Sequence, residues 1–265
     1  MPFTFSHPAA VLPLLDAGGR GRARLVATGL VTGSMAPDVP FFLDTVVPGS
    51  YGLGRLAHRP WAVPTLNVAL AAGLAAAWRG AVRESVLSVL PAATAGRLDV
   101  LTAPRRKPEP ADAVWFAASA AVGALTHLVW DAFTHDGRAG VRAFPVLRRR
   151  ILGTPAHHAL QWGTSAVGLA CLGVAGVRVL RRTEPESEPV PQSRRAVKRA
   201  ALGMISTGTL AGALVRIRRD RPRTPADLVA SATFGGGAGA ALATALLPTL
   251  TSMGGHDAEP APRRG

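Results

Sequence analysis

Long uncharged stretches alternate along this chain with short arginine-rich segments. Residues 61–78 form an uncharged run with a tryptophan at each end, which is typical of a helix anchored at both membrane interfaces. A second run extends over residues 113–135, and a third, uncharged, over residues 159–177. Because a spanning helix needs about 17–25 residues, these runs predict three membrane crossings.

Two further apolar segments lie towards the C-terminus. Residues 200–215 are short for a crossing, whereas residues 228–255 are long enough. The second segment contains three consecutive glycines, 235–237, and Pro248, so a bend or break is expected within it.

Residues 1–59 contain no run long enough to cross a bilayer, since the longest, residues 25–37, is too short. Residues 8–16 and 24–33 instead predict short helices that lie on the membrane surface or pack against the bundle. The first would begin with Ser6 or His7 near its N-cap and Pro8 in its first turn. Gly33 and Ser34 would end the second, and the turn that follows would present Asp38. Residues 85–101, interrupted by Pro91, predict an interfacial helix and turn.

These elements predict an all-α, multi-span integral membrane helical bundle with short interfacial helices at the N-terminus. Residues 1–182 would form a membrane domain with three spans. Residues 183–197, rich in Pro, Glu and Ser, read as a disordered linker. Residues 198–255 would add one or two membrane helices, and residues 256–265 a disordered tail.

Composition agrees with a membrane protein. Apolar residues make up 48% of the chain but aromatic residues only 5%, which suits close packing of Ala- and Gly-rich helices in lipid. The formal net charge of +14 comes from arginines that cluster at the ends of apolar runs, as membrane flanks do. We therefore expect the lipid bilayer as partner and no nucleic acid. With one cysteine, Cys171, an internal disulfide is excluded.

Three potential metal ligands, His127, Asp131 and His135, follow one another at steps of four residues. On a helix they share one face. Ionisable groups in a membrane segment are costly unless they are paired, neutralised or bound, and they mark functional sites. Because three residues over two turns span about 12 Å, one ion would need ligands from elsewhere in the chain, or two ions would lie side by side.

His7, Asp38 and His58 are the proposed sources of further ligands. Imidazole nitrogens and carboxylate oxygens suit a divalent ion such as zinc, manganese or iron. The predicted ligands are His7, Asp38, His127 and Asp131, while His135 or His58 would complete the ligand set or act in acid–base catalysis. A catalytic serine is disfavoured, because the sequence has no G-x-S-x-G motif.

A purely structural interpretation stays open. His127 would then bond a backbone carbonyl, and Asp131 would pair with an arginine such as Arg138. A second alternative is a non-enzymatic membrane protein, either a transporter-like ion or proton relay or a scaffold, in which the same buried His and Asp residues titrate or pair.

Several motifs resemble the uncharacterised bacterial integral membrane proteins grouped as domain of unknown function 4184. They are P-F-T-F-S-H-P-A-A from residue 2, G-S-M-A-P-D from residue 33, T-H-L-V-W-D-A-F-T-H from residue 126 and Q-W-G-T-S from residue 161. The resemblance extends from residue 1 to about 250. It implies a multi-pass protein of the bacterial inner membrane whose activity is unassigned.

A weaker resemblance links the chain to membrane-bound metal-dependent hydrolases of the bacterial inner membrane. It rests on His7, Pro37-Asp38, His58-Arg59 and the His127/Asp131 pair; Pro60-Trp61 and Asn67 depart from that family's pattern. It implies a metal-dependent hydrolase acting on a lipid or another membrane-associated ester or phosphoester, with metal-activated water as the nucleophile.

Overall fold

The computed structural model describes residues 3–103, 109–151, 153–185 and 195–248, and in these ranges the chain is almost entirely helical. The α-helices are α1 Ala27–Met35, α2 Val39–Leu43, α3 Tyr51–Ala57, α4 Leu66–Ala77, α5 Arg83–Val89, α6 Ala92–Thr102, α7 Pro110–Thr134, α8 Ala139–Ala143, α9 Ala156–Arg182, α10 Arg195–Asp220 and α11 Pro225–Ala245. Short 3-10 helices cover Thr4–Leu14, Ala36–Asp38, Pro60–Ala62 and Pro145–Arg148, and Trp78–Val82 is a π-helical turn. Strands β1 Arg150–Ile151 and β2 Thr154–Pro155 form one small antiparallel hairpin.

Within the described ranges, four helices are long and apolar enough to cross a membrane. They are α7, α9, α10 and α11, with 25, 27, 26 and 21 residues. At about 1.5 Å per residue each is at least as long as the roughly 30 Å hydrocarbon core of a bilayer. The predicted all-α, multi-span membrane bundle is therefore confirmed.

Residues 200–215 looked short as a crossing, but they lie inside the 26-residue helix α10. The break expected at the three glycines in the last segment does not occur, because α11 runs unbroken through them. These glycines serve helix contact instead: Gly235 lies against the backbone of Gly212, and Gly239 against that of Gly208. A side chain at these positions would push the two helices apart.

The predicted first crossing, residues 61–78, has a different local structure. It begins with the 3-10 helix Pro60–Ala62, and the α-helix proper, α4, has only 12 residues before the π-helical turn. Twelve residues rise about 18 Å, less than the thickness of the hydrocarbon core. This segment is not one of the four long helices, and a crossing there stays a prediction.

The chain divides into two compact units. One comprises residues 1–76 and 103–184, and the other residues 77–102 and 185–265. These units do not follow the covalent order of the chain, and the predicted division at residues 182 and 197 stays a prediction. Most of the predicted linker, residues 186–194, and the predicted tail lie outside the described residues.

The first unit is built around the crossing of α1 and α7, where backbones touch. Gly33 lies directly against the backbone of Ala120, and Gly123 against the backbone of Leu30. The N-terminal 3-10 helix packs against α9, where Gly168 lies close to the carbonyl of Ser6. Small residues at these contacts bring three segments that are distant in sequence to within side-chain reach of one another.

The N-terminal helix differs in detail from its prediction. It begins at Thr4 with Phe3, rather than Ser6 or His7, in the N-cap position, and the Ser6 hydroxyl donates to the Phe3 carbonyl. Pro8 and Pro13 lack N–H donors and lie inside it. Helix α1 covers residues 27–35 rather than 24–33, and the 3-10 helix that follows presents Asp38 as expected.

Candidate metal centre

Five histidine and aspartate side chains from four separate segments meet at one buried point. His7 comes from the N-terminal 3-10 helix, Asp38 from the 3-10 helix after α1, His58 from the end of α3, and His127 and Asp131 from successive turns of α7. Their exposed fractions are between 0% and 5%. Burial of this degree makes each of these polar groups costly unless something compensates it.

The potential ligand atoms fall into two overlapping sets. One atom each from His7, His127 and Asp131 lie within 4.8 Å of one another, and so do atoms from Asp38, His58 and His127. His127 belongs to both sets. Because one imidazole nitrogen binds one ion, the two sets are best described as one centre around His127 rather than as two separate sites.

Four distances define the middle of the centre. His58 Nε2 lies 3.5 Å from Asp38 Oδ1 and 3.3 Å from Asp131 Oδ2, while His127 Nε2 lies 3.7 and 3.6 Å from the same oxygens. All four exceed the usual 2.7–3.2 Å of an N–H···O hydrogen bond. Ligand bonds of about 2.0–2.2 Å in a tetrahedron place neighbouring ligand atoms about 3.3–3.6 Å apart, so these four histidine–carboxylate distances are close to those between ligands of one ion.

Hydrogen bonds to the opposite atoms of these side chains fix which atoms face the centre. His127 Nδ1 contacts the Ser34 carbonyl at 2.7 Å, and His58 Nδ1 contacts the Gly54 carbonyl at 2.7 Å. Since a carbonyl only accepts, each ring donates from Nδ1 and turns Nε2 towards the two carboxylates. Histidines that bind metals are held in this way.

Asp38 is also oriented by a hydrogen bond to the atom that faces away from the centre. The Thr4 hydroxyl donates to Asp38 Oδ2 over 2.6 Å, and both residues are buried. This leaves Asp38 Oδ1 directed at the histidines. Among the described residues, Asp38 Oδ1, His127 Nε2 and Asp131 Oδ1 have no hydrogen-bond partner, and neither does either nitrogen of His7. A cluster of this composition, with unpartnered lone pairs facing inward, fits a divalent cation.

His7 lies beside the four central atoms. Its ring stacks on that of His127 at a centroid distance of 3.7 Å, Trp130 covers its edge, and His7 Nε2 is 3.7 Å from Asp131 Oδ1. Burial, and then the neighbouring His127 ring, lower the pKa of His7 to about 3. Its imidazole is therefore neutral near pH 7 and available as a fifth donor, the third through nitrogen.

The pKa values of His58 and His135 are shifted in opposite directions. Burial by itself would lower the pKa of His58, but the carboxylates of Asp131 and Asp38 outweigh it and raise the pKa to about 9. The two anions thus attract positive charge at the centre. Burial lowers the pKa of His135 to about 4 although Asp131 opposes the shift.

The match to known proteins covers nearly the whole chain. The family model described as domain of unknown function (DUF4184) matches residues 1–249. The chain belongs to this family. No curated protein and no solved structure matches this DUF4184 protein, so the weaker resemblance to metal-dependent hydrolases has no support from these comparisons.

All six residues singled out in the sequence of this DUF4184 protein lie in one neighbourhood. Five of them form the centre, and His58, predicted either as a ligand or for acid–base catalysis, belongs to one of the two sets of potential ligands. His135 lies at the edge: it follows the last residue of α7, its Nδ1 is 3.4 Å from Asp131 Oδ1, and its side chain is 19% exposed. It belongs to neither set of potential ligands.

Other polar residues of this DUF4184 protein have structural partners. His157 contacts the Leu147 carbonyl through Nδ1, and its ring lies against that of His158. Asn67, where the hydrolase pattern would have an acid, is buried and donates to the Ala57 carbonyl over 2.9 Å, which supports the backbone next to His58.

Sequence reasoning missed the groups that orient the ligands. Thr4 is part of the N-terminal F-T-F-S-H-P motif, but nothing in its position indicates a bond to Asp38 thirty-four residues away. The other two orienting groups are the backbone carbonyls of Ser34 and Gly54. Every residue has a carbonyl, so residue type does not indicate which ones bond a histidine.

Proposed function

We propose that this protein is a metal-dependent hydrolase of the bacterial inner membrane that acts on a lipid or another membrane-associated ester or phosphoester. The observation that supports a metal is the set of four histidine–carboxylate distances of 3.3–3.7 Å among Asp38, His58, His127 and Asp131, with each histidine bonded to a carbonyl through its other nitrogen. Two carboxylates and two or three imidazoles suit zinc, manganese or iron.

An ion pair network explains these contacts less well. Paired imidazolium and carboxylate groups approach to normal hydrogen-bond distance, whereas the four central contacts are between 3.3 and 3.7 Å. Asp38 and Asp131 are both buried on the same centre. Two buried anions at one point need a compensating positive charge, and a divalent cation provides it.

The proposal assigns a role to each side chain of the centre. Asp38, His58, His127 and Asp131 would hold the ion, and His7, stacked on His127, would complete the ligand set. A bound divalent cation supplies Lewis-acid polarisation of a phosphoryl or carbonyl oxygen and lowers the pKa of water. His135, at the edge of the centre beside Asp131, is the proposed acid–base residue.

The proposal is tested first by metal analysis. The full-length protein is purified in detergent without chelators, and metal per chain is measured by mass spectrometry for the wild type, His127→Ala and Asp131→Asn. The matched control is His158→Ala, which removes an exposed imidazole outside the centre. We expect about one transition-metal ion per chain in the wild type and the control, and much less than one in the two variants, because each lacks a proposed ligand.

A second measurement addresses the reaction. Hydrolysis of phospholipid and of a fluorogenic phosphodiester is followed for metal-loaded wild type and for His135→Gln, which leaves the proposed ligands in place. The hydrolase proposal expects turnover that depends on the ion and falls at least a hundredfold in His135→Gln. Wild-type protein that contains no transition metal, and binds none when it is supplied, would overturn the proposal in favour of an ion or proton relay.

A further inference from the structure

The segment that connects α7 to α9 carries an unusual combination of exposed side chains. Residues 136–155 contain five arginines against one acidic residue, Asp136. Large apolar side chains are exposed in the same segment: Phe144 is 53% exposed, Val146 57% and Ile151 57%. Exposed apolar and exposed cationic groups side by side are typical of a surface that lies in the headgroup region of a membrane.

This connecting segment is folded against the two helices. Val141 is fully buried, and Gly140 lies against the carbonyl of Ala132 on α7. At the other end the Leu147 carbonyl contacts His157 Nδ1 at 3.0 Å, and Ala156 donates to the Arg149 carbonyl over 2.8 Å. The arginines therefore project from a fixed backbone.

The position of the segment relative to the membrane follows from the two helices that flank it. It begins where α7 ends and finishes where α9 begins, and both helices are long and apolar enough to span the bilayer. A connection between two consecutive spans lies at one membrane surface. His135 precedes this segment directly, so the segment lies on the membrane side towards which His135 faces.

Three of its arginines, Arg142, Arg148 and Arg149, are exposed and form no ion pair with any other residue in the described ranges. A guanidinium binds a phosphate through two parallel hydrogen bonds. A soluble phosphoester would satisfy the arginines but would leave Phe144, Val146 and Ile151 in water. An anionic phospholipid satisfies both, because its phosphate meets the arginines and its acyl chains meet the apolar side chains.

We propose that the segment between α7 and α9 is a binding surface for the headgroup of an anionic phospholipid. Arg142, Arg148 and Arg149 bind the phosphate, and Phe144 and Val146 lie at the boundary with the acyl chains. This surface goes beyond the hydrolase proposal and does not depend on it, since it uses none of the metal-site residues.

The test compares two variants that each remove three positive charges. Arg142→Gln/Arg148→Gln/Arg149→Gln alters the proposed surface. The matched control, Arg178→Gln/Arg181→Gln/Arg182→Gln, alters the arginines at the other end of α9. Binding of dioleoyl phosphatidylglycerol and dioleoyl phosphatidylcholine to detergent-solubilised full-length protein is measured by native mass spectrometry, and helicity and elution volume are checked for every variant.

We expect the wild type to prefer phosphatidylglycerol over phosphatidylcholine. Each arginine near an anionic headgroup contributes roughly fivefold in affinity, so the surface variant should lose on the order of a hundredfold for phosphatidylglycerol. The control should stay within about threefold of the wild type. Millimolar inorganic phosphate should not displace the lipid, because phosphate has no acyl chains to contact Phe144 and Val146.

Three outcomes would overturn the proposal. Equal losses in the two variants would show that only net charge matters, and unchanged binding in the surface variant would place the lipid elsewhere. Displacement by inorganic phosphate would assign the arginines to a soluble anion. A second variant, Val146→Glu, keeps every arginine and should also weaken phosphatidylglycerol binding, because it puts a negative charge beside the phosphate.

Discussion

Thr4→Val isolates one hydrogen bond that supports the proposed centre. The Thr4 hydroxyl donates to Asp38 Oδ2 over 2.6 Å, and neither residue is more than 3% exposed. Valine has nearly the same shape, so the change removes the donor with little change in packing. A hydrogen bond to a charged group contributes about 1.5–3 kcal/mol, and losing the partner of a buried carboxylate costs about as much. If Asp38 is a ligand, metal affinity should fall roughly tenfold to a hundredfold, the usual effect of removing a bond that orients a ligand.

The affinity is measured by competition for zinc and for manganese with a chelator of known affinity, on detergent-purified full-length protein. Thr126→Val is the matched control: Thr126 precedes His127 on α7, but its hydroxyl donates to the Gly123 carbonyl of its own helix. The control should bind metal like the wild type. Metal affinity of Thr4→Val within threefold of the control would show that Asp38 does not depend on this bond, and would argue against Asp38 as a ligand.

Further predictions concern packing, pH and the link between α7 and α9. Gly123→Val places side-chain atoms against the Leu30 carbonyl and should lower the melting temperature in detergent markedly, whereas Gly163→Ala, with open space around it, should leave it almost unchanged. Metal-free protein should lose stability as the pH falls from about 6.5 towards 4. His7 and His135 have folded-state pKa values of about 3 and about 4, below the ordinary value of 6.5. Between these values the unfolded chain binds more protons than the folded chain, so lowering the pH favours unfolding. A melting temperature that does not change over this interval would contradict the two shifts. Trp130→Phe removes the 2.9 Å bond from Trp130 to the hydroxyl of α9 residue Thr164 and should cost about 1 kcal/mol of unfolding free energy, measured by denaturant titration.

The sequence predicted the membrane fold because a single property decides it. A helix of about 20 apolar residues satisfies its own backbone hydrogen bonds and partitions into lipid, so α7 and α9 can be read from runs without charge. The same criterion underestimated the length of α10, because charged residues at both ends extend its short apolar run to a helix of 26 residues. It also expected α11 to break at glycines that instead pack against Gly212 and Gly208.

The candidate ligands could also be predicted from the sequence, since histidines and aspartates are rare in apolar segments, where burying an ionisable group costs free energy. The spacing of His127 and Asp131 placed them on one helix face without any tertiary information. His7, Asp38 and His58 could be named as candidates, but their meeting point could not be calculated from the chain.

Composition and periodicity alone thus determined that the chain is a helical membrane protein with ionisable groups in apolar segments, because both follow from local transfer energies. Only the tertiary structure decided that Asp38 and His58 lie beside His127, since that depends on α1 and α7 touching at Gly33 and Gly123. It alone also decided which atom of each ligand faces inward, because the orienting groups are backbone carbonyls and Thr4, whose positions are set by packing and not by residue type.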